Sequence, residues 1–310
     1  MEHHTAGDPI TGLKWTRKTT LKISQQLRKV DIDVSPKTVA RLLKELKFSL
    51  RVNHKKLAGH SNPYRNQQFE YINRMRQRFE RLALPIISID SKKKEMVGRF
   101  KNAGTTWERE PVAVNDHDFR KDAQGVAIPW GIYEPVDNRG HVFIGTSHET
   151  PAFAVTALAR WWTRAGLRRY PQAKRILILA DGGGSNAPRN RAWKHQLQTC
   201  FCNRFGLKVT VCHYPPGTSK WNPIEHRLFS EISKNWAGQP LESYETLLNF
   251  IRTTKTKSGL TVTATMLDAN YPTGVKTSDA QMAEVRLHSH RVLPMWNYTL
   301  APAPASKTEM

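Results

Sequence analysis

Apolar positions change their spacing along the chain. Between residues 20 and 82 they recur every three to four residues, as on a helix with one buried face. The stretch "TLKISQQLRKV" turns Leu21, Ile23 and Leu27 inward. After "DID", the segment "SPKTVARLLKELKF" opens with Ser35 as N-cap and Pro36 at the first helical position. Val39, Leu42, Leu43 and Leu46 then share one face, while Lys37, Arg41 and Lys44 share the other. Two short helices around a turn, the second basic on its outside, read as a helix-turn-helix, with a plain helical hairpin as the alternative. A third helix over 62–82 carries a stripe of Phe69, Ile72, Met75 and Phe79 and five arginines.

From residue 84 the pattern becomes short unbroken apolar runs. "LPIISID" (84–90) predicts a strand. A polar, Asp-rich insertion covers roughly 100–125, and two strands follow around a turn at "DNRG". Helix and strand then alternate: "TPAFAVTALARWWTRAGL", "RILILAD", "APRNRAWKHQLQTCFCNRFG" with a glycine cap, "LKVTVCHY", and "NPIEHRLFSEISKNW" with Asn222 as N-cap. Three strands followed by alternation predict an α/β fold with a mixed five-stranded sheet and helices on its faces. The domains read as 1–60, the helix-turn-helix module; 61–83, a linker helix; 84–240, the α/β domain; and 241–310, a C-terminal extension. In that extension "SYETLLNFIRTT" predicts a helix, "SGLTVTATML" a strand or extended arm, and Ser278 caps a short helix. Residues 1–10 and the last ten are expected to be disordered.

Two strands run straight into an acid. Asp90 ends the first and Asp181 ends the fourth, followed by Gly182, Gly183 and Gly184. Open α/β sheets place their sites beyond the carboxyl ends of strands, and glycines there allow backbone or ligand to come close. If the two strands are neighbours, their carboxylates converge and repel unless a cation or proton lies between them. Mg²⁺ needs only one or two carboxylates plus phosphate oxygens. Glu225 is the third acid, because Leu228, Phe229 and Ile232 share its helix face. Its alternative role is a capping box with Asn222. Glu231 lies four residues after Arg227 and is free to form an exposed pair.

Charge narrows the partner. Lys plus Arg number 48 against 26 for Asp plus Glu, a net charge of +22, which favours a polyanion. No stretch is apolar and long enough to span a membrane, and no signal peptide is evident, so the cytoplasm is the expected compartment. Cys200, Cys202 and Cys212 are too few for a disulfide framework; a zinc site with His213 is an alternative to buried structural cysteines. Asp116, His117, Asp118 and Asp122 in the insertion read as a polar loop. Beside the acids, Lys92, Lys93 and Lys94 are candidates to grip phosphates, and Lys220 with Trp221 to hold and stack on a DNA end. Asn186 is a candidate to orient Asp181, and His226 to stand behind Glu225 or touch the scissile phosphate. Lys37 and Arg41 are candidate groove contacts.

Three motifs carry a family resemblance: "SIDSKKKE" (88–95), "LADGGGSN" (179–186) and "PPGTSKWNPIEHRLF" (215–229). The chain resembles the DDE transposases of bacterial insertion sequences, the ISAzo-type group among them, from about residue 12 to about 290. The resemblance implies an RNase H-like catalytic fold with Asp90, Asp181 and Glu225 as the three acids. It also implies Mg²⁺, with Mn²⁺ as a substitute and two ions in all, cleavage of element ends and their joining to target DNA. The alternatives are a metal-dependent nuclease of the same fold that does not join, and a truncated, inactive copy that only binds DNA. DNA is the expected partner, at the bacterial nucleoid, with a homodimer as a further expectation and no membrane.

Overall fold

The computed structural model describes residues 5–7, 14–16, 18–46, 48 and 62–304. The chain divides into two compact units, Met1–Ala58 and Gly59–Met310. The expected disorder of residues 1–10 and of the last ten falls mostly outside the described residues. Within them, β1 (Thr5–Gly7) pairs antiparallel with β2 (Lys14–Thr16).

In the first unit, α1 (Thr20–Arg28) and α2 (Pro36–Glu45) form as the pattern predicts. Thr19 and Ser35 cap them by accepting from the N–H groups of Lys22 and Thr38. The Ser24 hydroxyl donates to the Val34 carbonyl at 2.6 Å and ties the connection to α1. Burial is narrower than expected: Ile23 and Val39 are buried, but Leu21 and Leu46 are 54% and 68% exposed. Two short helices touch along one line only, so a four-residue apolar stripe exceeds what they cover. Lys37 and Arg41 are both exposed, and Arg41 pairs with Glu45 one turn on.

In the second unit, α3 (Arg65–Arg81) is a layer of the fold rather than a linker. Its Ile72, Met75 and Phe79 pack on Ile86, Leu177, Leu179 and Tyr214. The buried Gln68 amide donates to the His213 carbonyl and to Asn297 Oδ1, both at 2.8 Å. The five expected strands are β3 (Ile86–Ser91), β5 (Gly125–Glu134), β6 (Arg139–Gly145), β7 (Arg175–Ala180) and β8 (Lys208–His213), with the short β4 (Glu95–Val97) on β5. They lie in the order β8-β7-β3-β5-β6, with β5 antiparallel to its neighbours and the rest parallel to β3. This is an RNase H-like sheet. Helices α4 (Pro151–Trp161), α5 (Leu167–Arg169) and α6 (Arg191–Leu197) cover one face over a core that includes Trp130, Trp161, Trp162 and Trp193. On the other face, α7 (Ser230–Asn235), entered through a π turn at Glu225–Phe229, packs with α8 (Tyr244–Thr253).

The C-terminal residues are built into the sheet. Strand β9 (Thr261–Leu267) pairs parallel with β6. After α9 (Asp279–Ala283), β10 (Leu287–Ser289) and β11 (Asn297–Leu300) extend the other side from β8, so the five strands are the centre of a nine-stranded sheet. Alternation in β9 hides Val262 and Ala264 and exposes Thr261 and Thr263, as an edge strand requires.

Candidate active site

The strand register sets the two aspartates side by side. Ile89 lies opposite Ala180 in the parallel β3–β7 pair, so Asp90 and Asp181, one residue further, leave the sheet together on one face. Ile87 and Ile89 point to the other face, into the tryptophan-rich core. Ser88 and Asp90 face the segment that carries Asn222 and Glu225. The parallel strands β3, β7 and β8 reach this edge at Asp90, at Ala180 just before Asp181, and at His213.

Glu225 reaches the aspartates because Gly131, opposite Asp90 in β5, has no side chain. A Cβ there would lie 2.7 Å from Phe229 and 2.8 Å from Ile224. The start of the helix therefore rests directly on the strand. The Asn222 side chain secures the same approach: it accepts from the Ser88 hydroxyl, and its amide donates to the Ile89 carbonyl at 3.3 Å. The capping-box alternative for Glu225 fails on this geometry. Asn222 spends its side chain on β3, and the Glu225 N–H meets the Asn222 backbone carbonyl instead, at 3.1 Å.

The acids crowd one another. Burial, then Asp181, then Glu225 push the Asp90 carboxyl up from 3.8 to about 8, against a 2.8 Å hydrogen bond from the Ser91 N–H. Asp181 is raised too, by burial and by Glu149, with the Gly183 N–H opposing. Such a set takes up protons or a hard cation, and oxygen donors of this kind suit Mg²⁺ or Mn²⁺. Among the described residues no group of three or more His, Cys, Asp or Glu side chains is arranged to hold a metal ion by itself.

Behind Asp181 lies a buried relay that the sequence reading did not assign. His213 Nδ1 sits 2.8 Å from the Asp181 carbonyl; a carbonyl only accepts, so this nitrogen carries the proton. Burial lowers His213 from 6.5 to about 4, keeping the ring neutral. Its Nε2 faces the Tyr298 hydroxyl at 3.4 Å, which accepts from Trp193 Nε1 at 2.9 Å. Two parts of the sheet thus hold the Asp181 backbone in place.

The family profile described as Rhodopirellula transposase DDE domain matches residues 1–302. The chain belongs to this family of DDE transposases. Among solved structures, the transposase domain is similar to the Mos1 transposase paired-end complex with left transposon end, at 16% identity and a TM-score of 0.45, covering 76% of this chain and 65% of that one. A pre-cleavage Mos1 transpososome gives 16% and 0.46, covering 76% and 66%. The Mos1 mariner paired end complex with Mn gives 18% and 0.44, covering 76% and 65%. The chain thus spans 65–66% of the length of these solved proteins. No curated protein matches it.

The transposase domain does not bring every expected residue to the acidic edge. Lys93 and Lys94 are exposed beside it. Lys92 is not available to phosphate: its side chain is 10% exposed, pairs with Glu95 at 2.7 Å and lies 4.5 Å over the Trp236 ring. Trp221 is 54% exposed rather than a core residue, beside Phe69 and under the Lys220 ammonium. His226 is exposed and lines a groove with Tyr133, Asn138 and Arg227, at the hairpin edge opposite the acids, so it neither backs Glu225 nor faces them. Asn186 is buried but makes no hydrogen bond to Asp181, and its Nδ2 has no partner. Glu231 pairs with Lys234 at 2.6 Å, not with Arg227. The zinc alternative does not form: Cys200 is exposed, Cys212 is buried, and Cys202 donates to the Leu207 carbonyl at 2.9 Å. In the insertion, Asp116 and His117 stand exposed, as a polar loop does. Among the described residues no helix is long and apolar enough to cross a membrane.

Proposed function

We propose that the chain cleaves insertion-sequence ends and joins them to target DNA, with Asp90, Asp181 and Glu225 as the acids that hold divalent metal. The observation that carries this reading is the convergence of three carboxylates, from two adjacent strand ends and one helix start, at a single edge of the sheet. Their mutual repulsion, visible in Asp90, is relieved when they share a cation. Bound there, Mg²⁺ or Mn²⁺ supplies charge neutralisation at the phosphate and an activated attacking oxygen, and two ions suit in-line displacement.

The protein's own residues do the positioning. Asn222 and Ser88 fix the start of the helix so that Glu225 stays over Asp90. His213 fixes the Asp181 backbone. Lys93, Lys94 and Lys220 meet phosphates, and Trp221 offers a flat face to an unpaired base. The first unit, 1–60 in the sequence reading, acts as the helix-turn-helix that recognises element ends through Lys37 and Arg41. Residues 84–240 carry the acids, and β9, β10 and β11 of the 241–310 extension complete the sheet around them. Two ends joined together call for two copies of the chain, working on DNA at the bacterial nucleoid.

The test is Asp90→Asn, Asp181→Asn and Glu225→Gln on DNA carrying the element ends. Each variant is expected to lose cleavage and joining at least a thousandfold while retaining end binding, with losses that do not add. Glu231→Gln, held on the outside by Lys234, is the neutral control. Cleavage without joining by the unaltered protein would make it a nuclease. Near-normal joining by Glu225→Gln where Asp181→Asn is dead would break the three-acid assignment.

A further inference from the structure

A basic groove lies apart from the acids, on the opposite face of the sheet and at its outer edge. Strand β9 is the last strand on that side, three places out from β3, or about 14 Å at ordinary strand spacing. In the parallel β6–β9 register Arg139 lies opposite Thr261, His141 opposite Thr263 and Phe143 opposite Thr265. Residues paired in this way share a face, and Phe143 belongs to the tryptophan-rich core under α4. Asp90 faces the other way, with Ser88, toward Asn222. The helix that continues from α4 passes over the row on β9: Arg164 donates to the Thr265 hydroxyl at 3.1 Å. Arg164 and Arg168 line one cleft of about 290 Å³ with Arg139, Arg169, Thr261 and Thr265.

Its cations are not neutralised from within. Among the described residues no acid lines the cleft, and the side chains of Arg139, Arg164 and Arg168 are exposed and make no ion pair. Only Arg169 is paired, with Glu134 and Asp137. Other helices of the chain set a glutamate four residues after an arginine, as in Arg41–Glu45 and Arg76–Glu80. Here the same spacing joins Arg160, Arg164 and Arg168, all exposed, and like charges one turn apart oppose folding. An anion held from outside offsets that repulsion through charge-assisted hydrogen bonds. Hydroxyls stand ready beside the arginines: Thr261 is exposed, and Thr265 accepts from Arg164 and keeps its own proton to donate. The dimensions suit a nucleic-acid backbone. Thr261 to Thr265 span about 13 Å of strand, and Arg160 to Arg168 about 12 Å of helix. Over that length one DNA strand presents about four phosphates.

We propose that this groove is a separate DNA-binding site. Arg139, Arg164 and Arg168, with the hydroxyls of Thr261 and Thr265, hold the phosphates of a duplex other than the one at the acids, and that duplex is target DNA. Contacts of this kind reach phosphate and carry no sequence information. Joining brings together ends that are recognised by sequence and a target that is taken without one, and the groove matches the second. The target assignment rests on the function proposed above; the phosphate groove does not.

The test uses the full chain. Binding of a labelled random-sequence duplex is followed by fluorescence anisotropy in EDTA at several salt concentrations, and pre-cut element ends are then joined to plasmid DNA. Arg164→Ala with Arg168→Ala is expected to weaken the random duplex at least tenfold and to make the log–log salt slope shallower by about two. The urea midpoint should be unchanged or higher, because a repulsion is removed. Lys174→Ala with Lys208→Ala removes the same charge from exposed positions elsewhere and should cost far less. Arg139→Gln, on the strand rather than the helix, is expected to weaken the duplex at least threefold and decides the matter if the double variant does not fold. Affinity and salt slope that match the Lys174 and Lys208 control overturn the groove. In joining, the plasmid concentration at half the maximal rate is expected to rise at least tenfold while cleavage of ends is unchanged. Cleavage that falls with joining puts element DNA in the groove and overturns the target assignment. An unaltered protein that joins nothing removes the function proposed above, and the duplex binding still decides the groove.

Discussion

Asp90→Asn should stabilise the metal-free protein while destroying its chemistry. In the folded chain the Asp90 carboxyl titrates near 8, against 3.8 ordinarily. Between those values the unfolded chain is ionised at this residue and the folded chain is not. Folding then takes up a proton, and stability falls as pH rises through the window, by about 1.4 kcal/mol per pH unit. At pH 7 the accumulated cost is about 4 kcal/mol, and above pH 9 it levels off at about 6 kcal/mol. An asparagine has the same shape and no charge to lose, so it recovers most of that cost. The assay is urea unfolding in EDTA at pH 5, 6, 7, 8 and 9 for both proteins. Their stabilities should converge toward pH 4 and separate steadily to pH 8, with the variant the more stable. Adding Mn²⁺ should reverse the order, because only a chain that binds the ion gains from it. A variant less stable than the unaltered protein at pH 8 in EDTA, or one with the same pH slope, would refute the reasoning.

Four further outcomes follow from the structure and the charge. Glu134, buried at the far edge of the sheet, accepts from Arg169 at 2.7 Å, from His141 at 2.8 Å and from the Tyr170 hydroxyl at 3.1 Å. Burial alone would raise its carboxyl, but His141 and Arg169 outweigh that and lower it. Glu134→Gln should therefore cost about 3 kcal/mol in urea unfolding at pH 7. That difference should shrink as pH falls below the ordinary glutamate range, where the native carboxylate is protonated and gives up its advantage. Asn222→Ala should lose about 2 kcal/mol, because it strands the buried Ser88 hydroxyl. It should also lower joining more than it lowers DNA binding, and equal losses would separate it from Glu225. Binding to DNA should weaken steeply with salt, as a net charge of +22 demands, and a flat log–log plot would exclude phosphate contacts as its source. Within that binding, Lys37→Ala with Arg41→Ala should weaken capture of element ends more than of random DNA; equal losses would leave both as general contacts.

The elements and the acids were legible because they rest on local rules. Apolar runs broken by turn residues marked the five central strands, Ser35 and Pro36 marked the start of α2, and an acid at the end of an apolar run marked Asp90 and Asp181. What depended on distant residues was not. Lys92 looked like its neighbours until Glu95 and Trp236 claimed it. Asn222 had the spacing of a helix cap, but a buried hydroxyl 134 residues earlier took its side chain. His226 follows Glu225 yet faces the opposite edge, because adjacent residues on a helix point in different directions. By itself the sequence determined which segments form strands and helices, where two carboxylates end strands, and a charge balance that favours a polyanion, since spacing and charge act over a few residues or over the whole surface. Only the tertiary structure decided which side chains face the acids and which are already paired, because strand register and side-chain competition join residues that the chain keeps far apart.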